Sequence, residues 1–87
     1  MHYLVLGCDV AGDPPLRPQF EDAPALPVLQ ADLTEALLAW NEEMAAQIAL
    51  RPEVQAEIDR LNREGVELAE RVSSSVSGGA KVHFLRE

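Results

Sequence analysis

Cysteine occurs once in the 87-residue chain, at Cys8. A single thiol excludes an intramolecular disulfide, a CxxC redox pair and a thiolate metal cluster, and it suits a reducing compartment. Large aromatic side chains are scarce as well: one Trp, one Tyr and two Phe. The core must then be filled by smaller aliphatic groups, many of them alanine, and a second subunit is a natural way to complete it. No apolar run is long enough to span a bilayer. Basic side chains are missing altogether between Asp32 and Leu50, a stretch that carries Asp32, Glu35, Glu42 and Glu43. With a formal net charge of −8, such a surface repels phosphate backbones. It argues against a nucleic-acid partner and for a basic protein or peptide, and at the least it keeps the chain soluble.

What is present is enough to fold. The apolar fraction of 47% lies above the disordered class, and the length fits one small α+β domain over residues 1–87, close to the size at which a lone core becomes marginal. Two amphipathic helical patterns dominate. Leu33, Leu37, Trp40, Met44 and Ile48 line one face of the first; Val54, Ile58, Leu61, Gly65, Leu68 and Val72 line one face of the second. The patterns meet at Arg51-Pro52, where a residue before proline leaves the α region and Pro52 suits the first turn of a new helix. A helical hairpin turning there brings Gly65 level with Trp40, and the missing side chain leaves room for the indole. Asp32 and Glu35 have the spacing of a capping box for the first helix. The second, Pro52 to about Ser73, offers charge pairs at a spacing of four: Asp59–Arg63, Arg60–Glu64, Arg63–Glu67 and Glu67–Arg71.

The flanks read differently. His2 to Cys8 is a short strand stopped by Asp9, Gly12 and Pro14, with Leu4, Leu6 and Cys8 on one side and Tyr3 and Val5 on the other. It has no basic segment ahead of its apolar run, so it reads as a strand rather than a leader, and a cytoplasmic location is the expectation. Lys81 to Leu85 is the closing strand, Val82 and Phe84 on one face, His83 and Leu85 on the other. Between Asp13 and Ala31 lie five of the six prolines, a connector expected to have little regular structure, pinned by Leu16, Phe20, Leu26 and Leu29. The fold class is therefore α+β, of order β-α-α-β: an antiparallel helical hairpin packed on a small sheet formed by the N- and C-terminal strands, with a long Pro-rich connector.

Two functions compete. The first is a small acidic protein-interaction or regulatory module acting through a homodimer. Its candidate residues are Tyr3, Val5 and Leu85 on the sheet and Glu35, Glu42 and Glu43 on the first helix, because one hairpin covers only one face of the sheet. The second is a small enzyme or ligand-binding subunit with an intersubunit site near Cys8, Asp9, Asp13 and Trp40. No phosphate loop, dinucleotide turn or metal-ligand spacing accompanies that group, and carboxylates raise a thiol pKa where a nucleophile needs it lowered. Neither cofactor nor metal is implied, and the interaction reading is preferred over the enzyme.

Overall fold

The computed structural model describes residues 1–9, 14–20 and 26–87. In chain order the elements are β1 (His2–Leu6), β2 (Leu16–Pro18), α1 (Ala31–Ile48), α2 (Gln55–Ser75) and β3 (Ala80–Phe84). Two packed helices lie against a mixed three-stranded sheet of order β2-β1-β3. The first and last strands pair as expected. They run parallel, in the register Leu4 to Val82 and Leu6 to Phe84.

The sheet was expected to have two strands, and β2 is the correction. Leu16–Pro18 runs antiparallel to β1, with Leu6 opposite Leu16 and Val5 opposite Arg17. Gly7 N–H donates to Pro15 O at 3.0 Å and Gln19 N–H to Tyr3 O at 2.9 Å, extending the contact at both ends. A strand of three residues is too short to show alternation, and proline argues against strand structure. At an edge, however, the missing N–H costs nothing because no neighbour needs it. The buried Leu16 fastens this part of the connector to the core.

The helices begin and end where local bonding dictates. Gln30, not Asp32, occupies the N-cap position of α1, and no side chain caps it; Thr34 N–H and Oγ1 both donate to Gln30 O. Asp32 instead sits in the first turn, where its charge favours the positive end of the helix dipole. The other end tightens: Leu50 N–H donates to Gln47 O and Arg51 N–H to Ile48 O, each a three-residue bond, and Pro52 then offers no donor. The helix is thus over by Ile48, three residues short of the expected stop. Pro52, joined to Arg51 by a cis peptide, precedes α2 by three residues rather than opening it. Helix α2 is unbroken through Asn62–Gly65 and closes into Gly78 and Gly79, both at positive φ, which suits glycine and turns the chain into β3.

The helices are antiparallel. Asp32 and Leu33 border the same cleft as Glu67, Glu70 and Ser74, while Glu43 at the other end of α1 reaches Arg60. Their apolar stripes and the helix-facing side of the sheet form one core that includes Leu4, Leu6, Leu37, Met44, Ile58 and Val72. Gly65 sits at its tightest point. A β-carbon there would overlap the Phe84 ring and lie 3.0 Å from the Trp40 indole. The expected indole contact is present, but the closer occupant is Phe84, from the strand. Trp40 and Phe84 rings pack tilted with centroids 5.9 Å apart, and the indole N–H donates to Leu61 O at 2.8 Å, one turn before Gly65. Three elements therefore meet over a residue with no side chain.

Candidate functional site

Alternation along the strands sorts the sheet into a covered side and an open side. Leu4 and Leu6 point to the helices, whereas Tyr3 and Val5 point away, in register with Lys81 and His83 on β3. Arg17 lies beside Val5 on β2. Leu85 folds over Gly7, where a β-carbon would come within 3.1 Å of the leucine side chain, and so adds a third apolar group to the open side. Phe20 supplies a fourth, packing edge-on against Tyr3 at a centroid distance of 6.0 Å. The expected group Tyr3, Val5 and Leu85 therefore shares one face, with Tyr3 43%, Leu85 41% and Phe20 56% exposed. By sequence Phe20 reads only as a pin for the connector. Its place on this face follows from β2, which carries the chain back alongside Tyr3.

The acidic group on α1 is exposed but not uniform. Glu43 is held by Arg60 at 2.6 Å, and the same guanidinium reaches Glu64 at 2.7 Å and Glu57 at 3.0 Å. These bonds, with Glu43 first and then Glu57, push Arg60 still further above its ordinary pKa. Glu35 and Glu42 remain solvent-facing carboxylates. Of the four pairs expected along α2, Arg60–Glu64 forms, while Asp59 accepts from the Gln55 amide instead.

A second cluster lies beyond the C-terminal ends of the parallel strands. Asn41 of α1 accepts from Asp9 N–H at 2.9 Å and donates to Asp9 O at 3.3 Å. Asn62 of α2 does the same to Glu87, accepting at 3.0 Å and donating at 3.1 Å. Each helix thus grips, by one amide, the main chain just past one strand. Both asparagines continue the apolar stripes at spacings of four and three, Leu37-Asn41-Met44 and Ile58-Asn62-Gly65, and a polar residue in a stripe is the signal that could have found them. Arg17 lies 3.8 Å from Asp9 and Arg51 3.8 Å from Glu87.

Cys8 belongs to this cluster, its thiol 3.6 Å from Asn41 O. Burial pushes the thiol pKa up, and the charges of Glu87 and Asp9 add to the effect. Of the residues proposed for an enzyme or ligand site, Cys8 and Asp9 come together at Asn41. Trp40 is committed to the core between Leu61 and Phe84, and Asp13 lies outside the described residues. Among the described residues no group of His, Cys, Asp and Glu is placed to hold a metal ion, and no helix is long and apolar enough to cross a membrane. No protein-family model matches the chain, and no curated protein matches it.

Proposed function

We propose that this chain is a small acidic interaction module that works as a homodimer, joined through the open side of its sheet. The observation that supports this reading is the group Tyr3, Val5, Phe20 and Leu85, gathered on a face that neither helix crosses. Apolar groups in one patch, flanked by Arg17, Lys81 and His83, have the composition of an interface core with a polar rim. A second copy offers the same patch, and a two-fold arrangement covers both at once. Glu35 and Glu42 on α1 stay outside such a dimer and are available to a basic protein or peptide, which gives the module its regulatory reach.

The alternative, an enzyme or ligand site at Cys8 and Asp9, draws less support. A thiol held protonated by burial and two carboxylates is poorly prepared to attack anything. Sedimentation equilibrium tests the dimer. Wild-type protein should show a mass that doubles with rising concentration, and Tyr3→Arg should stay monomeric with an unchanged far-ultraviolet spectrum. A wild-type chain that is monomeric at high micromolar concentration overturns the reading.

A further inference from the structure

The sheet has two edges, and they are built differently. At the β2 edge Pro18 lies within the strand and Pro14 and Pro15 lead into it, so this edge is short and poor in donors. The β3 edge runs for five residues, Ala80–Phe84, with no proline. Its main-chain hydrogen bonding alternates between the two sides of the strand. His2 N–H donates to Gly79 O and Leu85 N–H donates to Leu6 O, and because a parallel strand uses alternate residues for one neighbour, Lys81 and His83 serve β1 as well. The main chain of Ala80, Val82 and Phe84 therefore points outward. Ala80 O is taken by the Ser73 hydroxyl at 2.6 Å. Val82 and Phe84 are left with their N–H and C=O groups at the end of the sheet.

Beside these groups a groove of about 380 Å³ separates β3 from α2, lined by the apolar Val66, Ala69, Val82 and Phe84 and by Glu70 and Lys81. An unprotected strand edge next to an apolar groove is the geometry of strand addition, in which main-chain bonds give affinity and alternate side chains give specificity. We propose that β3 accepts an extended segment of another protein in which apolar and acidic side chains alternate.

Charge selects this occupant. In an added strand, one set of side chains lies over the groove and the other falls beside Lys81 and His83 on the open side. On that side of the sheet Arg17 already has a carboxylate partner in Asp9. Among the described residues Lys81 has no carboxylate in ion-pair contact, although the chain as a whole is strongly acidic. A second copy added through β3 would bring two Lys81 ammonium groups onto adjacent strands of one face, and like charges there oppose pairing. An acidic residue at those positions meets an unpaired ammonium instead.

The test is a titration of isotope-labelled protein with the peptide Ac-Glu-Val-Glu-Val-Glu-Val-NH2 and with its lysine counterpart, followed by nuclear magnetic resonance. The Val82 and Phe84 amides should shift with the first peptide, which should bind about tenfold or more tightly than the second. Lys81→Glu should reverse that preference. Val82→Pro removes an outward N–H together with a half-buried side chain, so it should abolish binding with some loss of thermal midpoint; if that variant fails to fold, the Lys81→Glu comparison still decides. Equal affinity for both peptides, no binding, or shifts confined to Tyr3 and Val5 would overturn the proposal, as would protection of the Val82 and Phe84 amides by self-association alone. The Tyr3→Arg chain should bind the acidic peptide as well as the parent does, so failure of the dimer and failure of the strand site are separable.

Discussion

Leu4 and Leu6 are 2% and 0% exposed, while Tyr3, between His2 and Leu4 on the same strand, is 43% exposed. Along β1 the residues on the two sides of the sheet are comparably apolar; what separates them is that α1 and α2 cross one side and nothing among the described residues crosses the other. Burial here is a property of topology rather than of side-chain type. The covered side should therefore govern whether the chain folds, and the open side whom it meets.

The largest effect is expected at Trp40, which lies on the covered side and touches both α2 and β3. Trp40→Ala removes a buried indole and leaves Leu61 O without the donor it now has, so denaturant melts should show a loss of about 3 to 5 kcal/mol. Next comes Gly65→Ala. An exposed helix would gain about 1 kcal/mol from alanine, but the added carbon collides with Phe84, and overpacking costs about 1 to 3 kcal/mol. A net loss is the expected outcome. A variant more stable than the parent would break the comparison, because it would place Gly65 away from the strand. The smallest effect belongs to Tyr3→Ala, whose melts at dilution should stay within about 0.5 kcal/mol of the parent. A loss as large as that of Trp40→Ala would show that the open side is part of the core after all.

The stripes of both helices and the alternation of Ala80–Phe84 were legible in the sequence, because each is long enough to read, whereas His2–Leu6 is apolar on both faces and shows only that it is a strand. Phe84 over Gly65 was not legible. The missing side chain pointed to a close approach, yet only the register of β3 against β1, set by parallel pairing, determines which ring arrives there. Strand β2 was hidden for a different reason: its residues have little strand propensity of their own, and it exists because β1 offers an edge and Leu16 a place in the core. The start of α1 shows competition between local signals. Asp32 and Glu35 satisfy the pattern of a capping box, but Thr34 N–H finds Gln30 O first, so helical bonding begins before the carboxylate is needed. Helix ends are set within one turn, where a single bond decides, and a pattern averaged over many residues does not resolve them.

The placement of Trp40 also gives this molecule a built-in optical gauge. It is the sole tryptophan, and its ring is in contact with α2 through Leu61 O and with β3 through Phe84. Emission from that one indole thus reports the closure of both helices and the seating of the last strand in a single colour. A red shift registers any of these contacts opening. Because the ring lies on the opposite side of the sheet from Tyr3 and Leu85, the same signal should stay quiet in the proposed dimer, so that folding would be followed by light and association by mass.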